Sequence, residues 1–321
     1  MSLRQALLER DLEYLPGKRQ EEWRWTDLKG PIRTIPKLTD ETQPLVDKPW
    51  LDALEGVTVR RFAAPMQAGV QDADLVVAKG ERLVLIDTFE KGRGVYLRDL
   101  ALALTLEEGA VVERLILAED SADAVTVANL TVTLGAGSTY RQTVLSTGAR
   151  RQRVETTVQH PGAGAHVRLD GAYMISDARH ADQTTRLLHE GPHGESRQLV
   201  RGVAGGTSNG VFQGRIVVAR GADGTDARLA HNALMLSDRA EIDSKPELEI
   251  YADDVVCAHG NTVGALDEQA LFYATARGIP ERQARLMLIE AFLSEIALRI
   301  EHEGLREIAS TFIRNGLKEV S

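Results

Sequence analysis

The feature that most constrains this chain is a spaced recurrence: a short apolar run, a turn holding a glycine, and a second apolar run. VVAKGERLVLI carries Gly80, LTLEEGAVVERLIL carries Gly109, VTLGAGSTYRQTVL carries Gly137, and TTVQHPGAGAHVRL carries Gly162 and Gly164. The steps are 29, 28 and then 25 or 27 residues. A strand–turn–strand unit of this length buries its inward face only by stacking on neighbouring copies, which is the signature of a solenoid. The recurrence therefore predicts a β-helix, with a β-sandwich as the alternative that the same alternation allows. Val125 and Val127 are out of phase with Leu130, Val132 and Leu134. A one-residue slip exchanges the two faces of a strand, so this stretch reads as short strands broken by a turn.

Strand-like runs continue from about residue 57 to 260, among them 83–86, 115–117, 216–218 and 248–250. No helical period separates them, which argues against a βαβ design. The flanks read differently. Leu3, Leu7, Leu8, Leu12 and Leu15 predict an amphipathic helix over 3–15, closed by Pro16-Gly17. Residues 31–56 hold four prolines and read as a connecting segment. From Asp267 the apolar spacing becomes helical. Asp267 caps a helix to about Ala276, Gly278 stops it, and Pro280 suits the start of the next. Leu286, Ile289, Leu293, Ile296 and Ile300 form the stripe of that second helix; Gly304 breaks it, and a last short helix runs over about 305–314. Three segments result: 1–56 helical and connecting, 57–262 β-helix core, and 263–321 a helical subdomain. A solenoid has open ends with unpaired strand edges, and terminal helical segments are suited to covering them.

With 43% hydrophobic and 26% charged residues the composition is that of a soluble globular protein. The net charge of −9 argues against a nucleic-acid binder led by phosphate contacts. No apolar run approaches the roughly 20 residues that span a bilayer, and the first residues lack a secretory apolar core, so no membrane association is expected. A single cysteine, Cys257, excludes an internal disulfide framework and an all-cysteine metal site within one chain. A reducing cytoplasm is the simplest compartment.

Cys257 and His259 stand at i and i+2, so in a strand they share a face. A thiolate and an imidazole side by side are half of a four-ligand metal or cluster site, the other half coming from elsewhere in the chain or from another chain. The plainer alternative is a small buried cysteine and a hydrogen-bonded histidine. Five of the eight histidines, His160, His166, His180, His189 and His193, fall within 34 residues. They admit a metal- or carboxylate-dependent hydrolase or lyase using His180, His189 and His193, set against turn histidines bonded to stacked neighbours. No H-E-x-x-H spacing supports the former. Acids are dense at Glu241, Asp243, Glu247, Glu249, Asp253 and Asp254, but aromatics make up only 5% of the chain, which disfavours a sugar groove. No phosphate-binding loop and no nucleophile elbow is present. Trp23 and Trp25 read as a staple pinning the N-terminal segment to the body, or as an interface anchor.

The stretch 232–279 resembles the SufB/SufD family of iron–sulfur cluster assembly proteins, on its SufD side. The resemblance rests on Leu236-Ser237-Asp238, Ala240, Pro246-Glu247-Leu248-Glu249-Ile250, Asp254-Val255, His259-Gly260, Leu271-Phe272-Tyr273 and Arg277-Gly278-Ile279, in matching order and spacing. It is supported by Glu21-x-Trp23-Arg24-x-Thr26-Asp27-Leu28. It implies a right-handed parallel β-helix and a non-catalytic scaffold. It implies partnership with a SufB-like subunit or a second copy through the β-helix end, and with a SufC-like ABC ATPase through the C-terminal helices. It further implies a transient iron–sulfur cluster at the subunit interface, with His259 and then Cys257 as candidate ligands. Phe272, Arg277, Ile279 and Phe292 are the candidate partner-binding residues of the helical subdomain.

Overall fold

The computed structural model describes residues 2–320. Two parallel sheets face each other. The first holds β1 (Thr58–Phe62), β3 (Arg82–Phe89), β5 (Val111–Ala118), β7 (Thr139–Ser146), β9 (His166–Ile175), β11 (Glu195–Ala204), β13 (Asp226–Met235) and β15 (Val256–Gly264). The second holds β2 (Ala68–Val77), β4 (Leu97–Leu106), β6 (Val125–Leu134), β8 (Arg151–His160), β10 (His180–His189), β12 (Asn209–Val218) and β14 (Glu241–Ile250). Strands that follow one another in sequence lie in opposite sheets, and each pairs with the strand one full coil away. This is the parallel β-helix that the recurrence predicts, and one recurrence is one coil.

The turn after each strand of the second sheet explains the spaced glycines. Gly80, Gly109, Gly137, Gly164, His193 and Gly224 occupy equivalent places, with φ between +57° and +73°. Glycine adopts this left-handed region without the Cβ clash that other residues meet there. Each backbone N–H in the column donates to the turn one coil on: Gly80 to Glu108, Gly109 to Ala136, Gly137 to Ala163, Gly164 to Pro192, His193 to Asp223 and Gly224 to Asp254, at 2.7–3.0 Å. Gly164, not Gly162, is therefore the fourth member. The column runs on past the legible recurrence because His193 takes the glycine place.

Inside, side chains repeat in ladders. Leu75, Leu104, Val132, Val158, Leu187, Ile216 and Leu248 sit in register, one per coil, in the core between the sheets. Burial of such side chains, each stabilising by roughly 1.5–3 kcal/mol, is the main term holding the coils together. The phase slip in β6 has a different cause from a turn. β6 is uninterrupted; Val125 and Val127 face outward beneath the N-terminal segment, whereas Leu130 and Val132 face the lumen.

Both outer faces carry helical segments. The N-terminal stretch is a shorter helix than the spacing predicts, α1 (Leu3–Glu9), followed by a 3-10 turn at Leu12–Tyr14. Leu3, Ala6, Leu7, Leu28, Ile32 and Ile35 cover Ala68, Leu97, Val125 and Val127 of the second sheet. Trp23 lies against the Arg153 guanidinium, 4.4 Å from ring centroid to Cζ, and Arg153 donates to the Glu22 carbonyl, which supports the staple reading. A short helical turn, α2 (Pro49–Asp52), precedes β1. The C-terminal helices are α3 (Glu268–Ala276), α4 (Glu281–Leu298) and α5 (Glu303–Val320). The Asp267 carboxylate accepts from the Gln269 and Ala270 N–H groups at the start of α3, as predicted. Helices α4 and α5 lay Ile289, Leu293, Ile296, Leu305, Phe312 and Ile313 onto the outer face of the first sheet. Helix α5 is longer than expected, and Gly304 lies inside its first turn.

Candidate functional site

The solenoid ends at β14 and β15, and each is the last strand of its sheet. Among the described residues no strand pairs with their outer edges. Nearly all of β15 is exposed. Its register with β13 aligns Cys257 with Ala227, His259 with Leu229 and Asn261 with His231. Ala227 and Leu229 belong to the core between the sheets, so Cys257, His259 and Asn261 line the mouth of that lumen. Cys257 is half-buried, and burial pushes its thiol above the usual range. His259 is exposed. The structure thus sets the two predicted donors on one face at an open end. Among the described residues no group of three or more His, Cys, Asp or Glu side chains is arranged to hold a metal, so none of them completes this pair.

One coil below the mouth lies a polar cluster that sequence reading missed. His231 is fully buried beside Phe212 and Tyr173, with ring centroids 4.9 and 6.0 Å away and planes inclined by 22° and 28°. Its Nε2 is 3.0 Å from the Tyr173 hydroxyl, and its Nδ1 is 3.1 Å from Ser244 Oγ and 3.0 Å from Asn261 Oδ1. Burial lowers its pKa to about 4, so the imidazole is neutral. His231 stands one coil before Asn261, and Asn261 is at i+2 from His259, but the recurrence legible in the sequence ends at Gly164, so nothing in it marks this pair.

The other histidines do not converge. His180 begins β10 and His189 ends it, about 30 Å apart at strand rise. His180 is buried against the N-terminal segment, its Nε2 3.1 Å from the Trp25 carbonyl oxygen and 3.3 Å from Thr26 Oγ1, and burial lowers its pKa to about 4. His189 is in register with His160 and bonded to it, and its Nε2 is 3.0 Å from Ser196 Oγ. Burial, with His160 adding to it, brings His189 to about 3. His193 is the turn residue of the left-handed column, and His166 is an exposed partner of Glu195. The trio His180, His189 and His193 is therefore not gathered into one site. Of the acids near 245, Glu249 pairs with Arg215 and Glu247 with Lys245, which also meets Glu21, whereas Asp243 and Glu241 accept from the Asn209 amide.

In the helical segment, Phe272 is 74% exposed on α3, and Arg277 lies 4.3 Å over the ring of exposed Tyr273. Ile279 is half-buried in the link to α4. Phe292 faces the body instead: Arg201 of β11 covers its ring at 4.5 Å and bonds its carbonyl. A cavity of about 500 Å³ between α2, α5 and the end of β5, with Trp50, Leu117 and Phe312 in its wall, is separate from the residues above.

Comparison with known proteins agrees with this architecture. The profile of the SUF system FeS cluster assembly SufBD core domain matches residues 62–292. The iron-sulfur cluster assembly protein SufD of Escherichia coli is 38% identical over 155 residues, which are 48% of this chain and 37% of that protein. The chloroplastic protein ABCI7 of Arabidopsis thaliana is 30% identical over 243 residues, 75% of this chain and 51% of that one. A SufBD family protein of Mycobacterium bovis is 29% identical over 247 residues, 74% of this chain and 61% of its own length. The matched stretch is thus between about a third and three-fifths of each relative. With the family profile covering nearly the whole solenoid and its first following helices, the chain belongs to the SufB/SufD family of iron–sulfur cluster assembly proteins.

Proposed function

We propose that this chain is a SufD-like, non-catalytic scaffold subunit of a SufBCD-type assembly complex. Its open solenoid end meets the end of a SufB-like β-helix, or a second copy of itself, and a nascent iron–sulfur cluster or its incoming iron is held there. The observation that carries this reading is the exposed edge strand β15, which presents His259 and Cys257 at a mouth that no described residue covers. Half a ligand set at an unpaired edge is suited to completion by a second chain, since an added strand satisfies the edge while it brings further donors. His259 is the first ligand. The thiol of Cys257, raised by burial, ionises readily only once a metal or a partner cation is near it. The same free thiol suits a reducing compartment, the cytoplasm.

Docking of a SufC-like ABC ATPase falls to α3 and the turn that follows it. Phe272, Arg277 and Ile279 offer an aromatic anchor beside a cation, a composition typical of interface hot spots. Phe292, covered by Arg201, is not part of this surface.

The test is co-expression with SufB-like and SufC-like partners, comparing wild type with His259→Ala under anaerobic conditions. The expected result is co-purification of both forms, with iron–sulfur absorbance reduced severalfold in the variant. Failure of the wild type to co-purify with either partner overturns the scaffold reading. Equal loading of both forms overturns the role of His259.

A further inference from the structure

Two interior glycines make room for the cluster beneath the mouth. Gly202 and Gly210 lie in the strands β11 and β12, where glycine weakens a sheet. A Cβ on Gly202 would stand 1.9 Å from Tyr173 Cζ, and one on Gly210 would stand 2.5 Å from Tyr173 Cε2. Both places are kept empty so that the Tyr173 ring fits inside the lumen and its hydroxyl meets His231.

The hydrogen bonds then fix a direction. Asn261 Oδ1 is the amide atom facing His231 Nδ1, and a carbonyl oxygen only accepts. His231 Nδ1 therefore carries the hydrogen, and Nε2 accepts from the Tyr173 hydroxyl. Ser244, on β14, shares the Nδ1 hydrogen, so the one ring ties together the two edge strands of the open end. With its oxygen occupied, Asn261 turns its Nδ2 amide away from His231. Asn261 is exposed, and among the described residues its Nδ2 has no hydrogen-bond partner. It stands two residues from His259 on the same strand and the same face.

We infer that Asn261 is a further binding residue of the mouth: its amide donates hydrogen bonds to an anionic sulfur held beside His259, and Tyr173 and His231 position it for that role. The inference deepens the proposed function and rests on it for the nature of the cargo. Sulfide and thiolate sulfurs of a cluster are soft anions whose hydrogen bonds raise the cluster's reduction potential. A neutral amide donor stabilises them without competing for the metal. Asn261 Oδ1 is not a metal ligand here, because His231 holds it.

The decisive variant is Asn261→Asp. It keeps the acceptor that meets His231 and the size of the side chain, loses both amide hydrogens and adds a negative charge, so Asn261→Leu, which loses the hydrogens without the charge, is measured beside it and should lower loading and potential in the same direction. In the complex with SufB-like and SufC-like partners, the variant is expected to co-purify normally, load cluster at least threefold less, and shift the reduction potential of the residual cluster downward. Loading and potential both equal to wild type would overturn the inference. A second arm needs no partner: the full chain, with asparagine and histidine labelled by ¹⁵N, is titrated with sodium hydrosulfide. The expected spectrum has a proton on His231 Nδ1, and the Asn261 side-chain amide shifts on titration. Tyr173→Phe is expected to weaken that shift while the chain stays folded. A proton on His231 Nε2, or an amide that does not respond, would overturn the inference. If wild type fails to co-purify with its partners, the scaffold reading falls, and the hydrosulfide arm still decides whether Asn261 binds anionic sulfur.

Discussion

Buried neutral histidines make this protein acid-labile at the scale of single residues. His180, His189 and His231 titrate near 4, 3 and 4 in the fold, mainly because burial disfavours the imidazolium. In the unfolded chain each titrates near 6.5. The unfolded state therefore binds more protons across this window, and stability falls as pH drops below 6.5. Because each is already half-protonated in the unfolded chain at pH 6.5, each contributes roughly 1 kcal/mol over the next pH unit, so about 3 kcal/mol is lost from the three together between pH 6.5 and 5.5. Asp99 and Asp170, raised by burial, oppose the trend nearer the carboxylate range. Urea midpoints at pH 7.5, 6.5 and 5.5 check this; a midpoint constant across that range would show the histidines to be solvated. His193 makes a different prediction. As a turn residue with φ of +57° it is replaceable by glycine, since the strain relieved is comparable to the chain entropy that glycine adds. His193→Gly should change stability by less than about 0.5 kcal/mol, whereas Gly164→Ala, one coil earlier in the same column, should cost about 1 kcal/mol. Urea unfolding of both variants measures the contrast. Cys257 and His259 were legible as residues sharing a face. Asn261 and His231 were not, because an asparagine and a histidine 30 residues apart become partners only through the coil register.

At the scale of elements, the helix ends show where local signals stop deciding. Asp267 caps α3 through its own side chain, so the sequence marks that start. The start of α5 is set partly from outside: the Glu113 carboxylate on β5 accepts from the Glu301 and His302 N–H groups, at 2.7 Å each, while His302 Nδ1 accepts from the Leu305 N–H at 3.3 Å. Together they put the break before Gly304, and Gly304 then lies within the helix at a cost of about 1 kcal/mol relative to alanine. Likewise β6 is continuous although its pattern slips, because α1 and its neighbours bury an outer face that would otherwise be polar. The two phenylalanines of the helical segment separate in the same way. Phe272→Ala should abolish co-purification with the ABC ATPase and leave the urea midpoint unchanged. Phe292→Ala should cost roughly 2 kcal/mol, since it removes a ring packed under Arg201. Pull-down and urea unfolding run on both variants distinguish docking from packing.

At the scale of the whole molecule, the two ends of the solenoid differ. The first coil is closed by charge: Arg60 bonds Asp87 at 2.7 and 2.9 Å, Arg114 bonds the same carboxylate at 2.7 Å, and Phe62 meets Phe89 edge to face. Inward charges of this kind discourage edge-to-edge association. Among the described residues the last coil has no such inward ion pair, and Ile250 and Val263 are exposed on its two edge strands. Ile250→Lys with Val263→Lys should prevent association with a SufB-like partner or a second copy. The same pair should change the stability of the isolated chain by less than about 0.5 kcal/mol. Mass photometry and urea unfolding together test it; association that persists would move the interface elsewhere. The sequence by itself determined the coil, the C-terminal helices and the Cys257–His259 pair. Each of these depends on a local period: glycine's freedom at a turn, 3.6-residue helical spacing, or two-residue strand spacing. Only the tertiary structure decided that His180, His189 and His193 lie apart, that Phe292 faces inward, and that His231 orients Asn261. Those facts depend on which residues stacking brings into register, and coil lengths that vary from turn to turn leave that register unmarked in the chain.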